Sequence, residues 1–407
     1  MIPKSEILEL ATDTNLRPSV VEKDYVLGWM LAGINHHEIG KSWVFKGGTC
    51  LKKCYFDTYR FSEDLDFTLT DASHLDEPFL LSVFGEIGEW VYENTGIQIP
   101  ANKLVFDIYS NKRETISCQG RVSYKGPVSP SSPNVFPRIK LDLTADEMLV
   151  EPPVLNKVRH DYSDGLEGGI YIQSYSYEEV FAEKTRALSE RTRPRDLYDV
   201  INFYRRPESE NLADKVRQIL EAKCKFKLIP MPCIESLLTH KDECRAGWEQ
   251  QLSHQLPFLP PFDSYWNDLV PFLHWLTHEP DVSRVKLQAV PPQQGAILSP
   301  GPIGIQMAKS QVLPGGLMER VRFGASNHLC VELDYRRADG QRNIYLVEPY
   351  SLNETSNGFL LLHAVKHDSQ QIRAFRTDRI LGVAITAVVF VPSYRVDLIS
   401  SGPVKLS

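Results

Sequence analysis

The chain has 407 residues, 42% hydrophobic and 24% charged, enough for two or three separate cores, which excludes disorder, collagen and a small disulfide scaffold. The formal charge is −7 and the whole acidic excess lies in residues 1–206. That balance argues against a protein held wholesale to nucleic acid by a basic surface, while leaving room for a local basic groove.

In chain order, the opening residues show no basic start followed by an apolar core, and no run of about 18 apolar residues follows anywhere. A cytoplasmic protein with no membrane partner is expected. Residues 20–34 (VVEKDYVLGWMLAGI) have a helical pattern. Seven cysteines, spread without a CxxC pair, have the spacing of neither a disulfide framework nor a zinc site and are expected as reduced thiols.

The sharpest signal is KGGTCLKKCYFDTYRFSEDLDFTL, residues 46–69. Gly47 and Gly48, followed by Thr49 and an apolar-periodic stretch, describe a tight turn into a helix N-terminus. Free N–H groups there suit a phosphate. Residues 46–69 contain no GKS or GKT, so this turn is not a Walker loop. Residues 61–69 alternate as a strand should, with Asp64, Asp66 and Thr68 on one side and Leu65, Phe67 and Leu69 on the other.

A second alternating strand, RIKLDLT at 138–144, follows a Pro- and Ser-rich loop at 129–137 and offers Lys140, Asp142 and Thr144 on its open face. If the two strands are neighbours, Asp64, Asp66 and Asp142 converge. Crowded carboxylates call for a cation, and hard oxygen ligands favour magnesium with substrate phosphates completing its shell. Three carboxylates suit a two-metal site for in-line displacement at phosphorus. The plain alternative is an exposed strand face and an ordinary turn.

Residues 178–191 form a helix whose apolar face, Val180, Phe181, Ala187 and Leu188, also carries Lys184. That ammonium either snorkels outward or meets an anion. A further helix begins near Arg195, where Asp196 is either a site residue or a helix-start carboxylate. Strands in separate clusters without regular βαβ alternation make this an α+β arrangement. Residues 207–286 are mostly helical, with Trp248, Trp266 and Trp275 as packing anchors and Pro257, Pro260, Pro261 and Pro271 as breakers. A Pro/Gly linker at 287–306 leads to short strands at 328–335, 343–349, 358–365 and 383–391, the pattern of a small β-rich barrel or sandwich.

The glycine turn, the RFSEDLD strand, EKTRALSERTRPRDLYDV at 183–200 and VVEKDYVLGWML at 20–31 together resemble the AbiEii/AbiGii toxin nucleotidyltransferases, of the polymerase-β-like superfamily. The resemblance implies magnesium-dependent transfer of a nucleoside monophosphate from an NTP to an RNA, often tRNA, or a protein acceptor. It also implies growth arrest or phage defence and a cognate antitoxin. Catalytic roles then fall to Asp64, Asp66, Asp142, Lys184 and Asp196, two magnesium ions to the first three, and nucleotide contacts to Gly47, Gly48, Thr49, Arg60, Ser62 and Lys184.

Towards the end, LDYRRADGQRNIYLVEPYSL, GFLLLHAVKHD and IRAFRTDRI resemble a WYL domain, a small Sm-like β-barrel, over about 317–392. Phe359, Leu360 and Leu361 stand where that family has Trp-Tyr-Leu. The resemblance implies a nucleotide or nucleic-acid ligand, with Arg373, Arg376 and Arg379 as the contacts; as residues alone, these arginines also suit a solvated face. The expected organisation is a catalytic domain at 1–206, a helical connector and linker at 207–306, and a WYL-like domain at 307–407. The rival reading is a non-enzymatic regulator that binds nucleotide or nucleic acid.

Overall fold

Two helices open the chain, α1 (Lys4–Thr14) and α2 (Pro18–His36). Pro18 begins α2 where its missing N–H would have no partner. From Val20 to Ile34 that helix is buried almost all round, so it is central to its unit and not a surface element. The computed structural model describes residues 1–277, apart from 57, 58, 112, 131, 133 and 134, and residues 315–399, apart from 356 and 357. The expected linker at 287–306 lies outside the described residues. The chain divides into two compact units, Met1–Val200 with Asp214–Pro257 and Ile201–Ala213 with Phe258–Ser407.

After α2 come β1 (Trp43–Lys46), α3 (Gly47–Cys50), β2 (Asp64–Leu69), α4 (Glu77–Thr95), β3 (Leu104–Ser110), β4 (Ile116–Ser123), β5 (Arg138–Thr144), β6 (Val154–Val158) and β7 (Ile170–Ser174). Then follow α5 (Tyr177–Arg191), α6 (Pro194–Tyr204), α7 (Ala213–Lys227), α8 (Ile234–Leu238) and α9 (Lys241–Leu252). The strands of the first unit form one mixed sheet in the order β3-β4-β5-β2-β1-β7-β6. Within it β2 runs parallel to β5, and β1 parallel to β7.

Alternation decides which face of this sheet is core. Phe45, Leu65, Phe67, Ile139, Leu141 and Leu143 are at most 1% exposed, so the residues between them point to the other face. Helices α2 and α4 pack together and on strands of this sheet. Asp76 caps α4 by accepting from the Phe79 N–H at 3.0 Å, and Gly96 ends it with φ +79°. Strand β2 starts at Asp64, three residues later than the alternation suggests, because the Phe61 N–H bonds to the Gln255 carbonyl, outside any ladder.

The second unit contains α10 (Phe262–Trp266), α11 (Leu269–Thr277), α12 (Gly315–Ser326), β8 (Leu329–Arg336), β9 (Arg342–Glu354), β10 (Leu360–Lys366), β11 (Gln371–Arg376) and β12 (Ile380–Val389). Its strands form an antiparallel sheet in the order β11-β10-β9-β8-β12. This five-stranded antiparallel sheet fits the small β-rich domain expected, and among the described residues β11 and β12 do not pair. Val321 and Ala325 of α12 share its core with Val331, Leu333, Leu362 and Phe375. Trp248, Trp266 and Trp275 are buried, as anchors should be. Pro271, expected as a breaker, sits in the first turn of α11, where a missing N–H is tolerated. Among the described residues no helix is long and apolar enough to cross a membrane, and all seven cysteines are free.

Candidate active site

Strands β2 and β5 are neighbours, in a register that sets Asp66 opposite Asp142 and Asp64 opposite Lys140. On the other side of β2, Lys46 at the end of β1 stands opposite Asp66. Lys46, Asp66 and Asp142 therefore form one row across three strands, on the face away from the core. Burial, then Asp142 and Asp64, push the Asp66 carboxyl up to about 6 despite Lys46 and Lys184 nearby. Burial, with Asp64 and Glu147, also raises Asp142. Carboxylates crowded until their charge is disfavoured are suited to a hard divalent cation, so these residues fit the metal that a phosphoryl-transfer site needs.

Lys46 was missed as a site residue. Its ammonium lies 3.6 Å from Glu147, and although burial would lower its pKa, the carboxylates of Glu147, Glu183 and Asp66 hold it charged. The signal available was position alone, since it immediately precedes the two glycines.

Those glycines are required by crowding. Gly47 has φ +79°, and a Cβ there would stand 2.0 Å from Asp66 Oδ2. A Cβ on Gly48 would stand 2.6 Å from Arg60 Nη2 and 3.0 Å from Ser62 Oγ. The turn thus brings backbone against the acidic strand, and α3 continues as a widened helical turn through Leu51–Tyr55. Gly47→Ala is expected to abolish measurable transfer. It adds about 1–2 kcal/mol of left-handed backbone strain and displaces Asp66. A variant that stays folded by circular dichroism and retains native turnover would refute this.

Thr49 departs from its expected role. Its hydroxyl donates to the Asp64 carbonyl at 2.5 Å and the residue is buried, so the side chain ties the turn to β2 and is not free for a phosphate.

Arg60 departs likewise. Its Nε and Nη2 bond the two oxygens of Asp199 at 2.7 Å each, and Nη1 bonds Gln255 Oε1 at 3.1 Å. With 2% exposure, it faces the protein and supports Gly48 from behind. Asp199, wholly buried, also accepts from the Tyr59 hydroxyl at 2.5 Å and pairs with Lys184 at 2.8 Å. Burial alone would raise Asp199, but Arg60 and Lys184 hold it well below the usual carboxylate range. The sequence reading overlooked this hub, although Asp199 stands three residues after Asp196 in α6.

Lys184 is on the inner face of α5, as its spacing suggests, and its charge reaches Asp66. Asp196 accepts from Arg191 at 2.7 and 3.0 Å and lies 3.9 Å from Lys184 Nζ. It is therefore joined to the acidic row through Lys184, as a partner of cations.

In the second unit, β11 places Arg373 and Arg376 on opposite faces, so they do not form one cluster with Arg379. The Arg373 guanidinium stacks 4.8 Å from the Tyr345 ring centre and that of Arg376 3.6 Å from Phe359, with Asp378 pairing the latter at 2.7 Å. Arg379 ends the turn Thr377–Arg379 between β11 and β12. Phe359, the substitute for the family's Trp, thus keeps an aromatic surface for Arg376.

Comparison with known proteins brings in independent information. The family described as nucleotidyl transferase AbiEii toxin, type IV toxin-antitoxin system, matches residues 29–268. The WYL domain family matches residues 316–385. No curated protein matches the chain. Among solved structures, MenT4, the nucleotidyltransferase toxin Rv2826c from Mycobacterium tuberculosis H37Rv, is similar at 17% identity and a TM-score of 0.46, over 69% of this chain and 91% of that one.

Proposed function

The chain belongs to the AbiEii nucleotidyl transferase toxin family, and on that premise we propose that it transfers a nucleoside monophosphate from an NTP to a hydroxyl of an RNA acceptor, with magnesium held by Asp64, Asp66 and Asp142. The observation that carries this reading is the register of β2 and β5, which sets Asp66 opposite Asp142 beside the Gly47 turn. The non-enzymatic rival is not retained.

Each residue has a part in the reaction. Gly47 and Gly48 let the backbone approach the acidic row, so the N–H groups at the turn bind phosphate oxygens of the NTP. Lys184 and Lys46 offset triphosphate charge near Asp66. Magnesium, two ions in this scheme, supplies positive charge to the triphosphate when bound. Asp142 accepts the proton of the acceptor hydroxyl, whose oxygen forms a bond to the α-phosphorus. The bond from that phosphorus to the β-phosphate bridging oxygen breaks, and pyrophosphate leaves. Asp199 and Arg60 act as positioning residues that fix Lys184 and the glycine turn. In this reading the protein is a growth-arresting or phage-defence effector in the cytoplasm, restrained by a cognate antitoxin. Its WYL domain binds a nucleotide or nucleic-acid ligand.

The test is label transfer. Purified protein with magnesium, each NTP labelled at the α-phosphate, total bacterial RNA and bacterial protein should label RNA with one NTP. An Asp64→Ala, Asp66→Ala variant should label nothing. Labelling of protein alone would replace the acceptor, and labelling undiminished in the variant would remove the acidic row from the reaction.

A further inference from the structure

Cys330, Glu348 and His367 are far apart in sequence, with no metal-binding spacing among them. In the second unit they meet: one donor atom from each lies within 4.8 Å of the others. We propose that Cys330 Sγ, Glu348 Oε1 and His367 Nδ1 form a three-ligand site for a tetrahedral, thiophilic divalent cation, zinc by preference, in the WYL domain. The site is separate from the acidic row and does not rest on the transfer reaction.

The donors are brought together from three segments. Cys330 belongs to β8 and Glu348 to β9, in adjacent strands whose register pairs Val331 with Val347 and so sets Cys330 across from Glu348. His367 follows β10, in a turn held by its own N–H to the Leu346 carbonyl. Sγ and Nδ1 are 3.5 Å apart, and Nδ1 and Oε1 2.8 Å. Zinc–sulfur and zinc–nitrogen bonds of about 2.3 and 2.0 Å at a tetrahedral angle span about 3.5 Å, which the first distance already meets. The second has to open by roughly half an ångström to admit the ion.

Charge supplies the independent reason. Glu348 is 3% exposed, and among the described residues its polar partners are Tyr350 at 3.0 Å, Gln370 at 3.1 Å and His367. Two neutral donors and one imidazole leave a buried carboxylate without a permanent cation, an expensive arrangement. A thiol, an imidazole and a carboxylate together select zinc over magnesium or calcium. Tyr350 bonds the far oxygen of Glu348 and orients the near one, as outer partners of metal ligands do. The His367 side chain is 33% exposed, which gives the ion an entry path and leaves a fourth position for water. On binding, the thiol loses its proton to solvent, the imidazole gives up the Nδ1 proton and keeps its one remaining proton on Nε2, and sulfur and Nδ1 take up the metal bonds.

The test uses the full chain carrying Asp66→Asn and Asp142→Asn, so that the acidic row cannot hold metal. After chelator treatment, one equivalent of cobalt(II) should bind and show a thiolate-to-cobalt charge-transfer band with intensified visible bands, both removed by zinc. Cys330→Ser should abolish the charge-transfer band. His367→Ala, at a partly exposed turn position outside the buried core, should weaken cobalt binding at least about tenfold. Absence of the band in the parent, or an unchanged band in Cys330→Ser, would overturn the proposal and leave a hydrogen-bonded triad or another thiol such as the exposed Cys233.

Discussion

Asp66→Asn is expected to lower nucleotidyl transfer by about 100- to 1,000-fold and, at the same time, to raise the thermal stability of the metal-free protein. Removing one preorganised electrostatic group from a reacting centre has a cost of that order. The stability effect has the opposite sign because the Asp66 carboxyl stands at about 6, raised by burial and by Asp142 and Asp64. Ionising it in the folded state costs about 3 kcal/mol relative to an unfolded chain. That cost is absent below about pH 4, grows between pH 4 and 6, and is complete above pH 6. Calorimetry in chelator should therefore find the variant's advantage largest at pH 7–8 and gone near pH 4. Loss of activity together with loss of stability would mark Asp66 as a structural residue.

Asp199→Ala should be the most destabilising single change in the first unit. It leaves Arg60 and Lys184 buried without their shared counter-charge, and breaking such a pair from one side costs about 3–5 kcal/mol. For a unit of this size that is a fall in Tm of about 10 °C, measurable by circular dichroism or calorimetry. Because Asp199 is held below the usual carboxylate range, its contribution is complete above about pH 4 and is lost as pH falls towards the folded-state value. The native protein should therefore lose stability in acid faster than the variant does. Equal acid sensitivity of the two would refute the role assigned to Asp199.

Patterns of local period were legible in the sequence. Strand β5 occupies the seven residues its alternation marks out, α2 extends the helix expected at 20–34 by two residues at each end, and α5 starts one residue before the helix expected at 178–191. The acidic row was legible because the residues between its carboxylates are apolar, and the glycine turn because Gly47 needs a left-handed backbone. What escaped depends on distant partners. Lys46 and Asp199 look like ordinary surface charges until β1 meets β2 and α6 meets Arg60. Nothing near Thr49 in sequence shows that its hydroxyl is taken by the Asp64 carbonyl. Strand β11 went unseen because Arg373 and Arg376 interrupt its apolar pattern, although both stack on aromatic rings. The meeting of Cys330, Glu348 and His367 has no local period at all.

A ribosome that has delivered residues 46–69 has made the glycine turn and two of the three carboxylates, yet no working centre. Asp142 comes later, Asp199 comes 139 residues after Arg60, and Gln255 comes 195 residues after it. Until those segments emerge, Arg60 has no counter-charge and the turn at Gly48 no support from behind. Contacts that span so much chain form late and slowly, because loop closure precedes any gain from pairing. A member of a toxin family built in this order lacks its complete centre for most of the time its host spends making it.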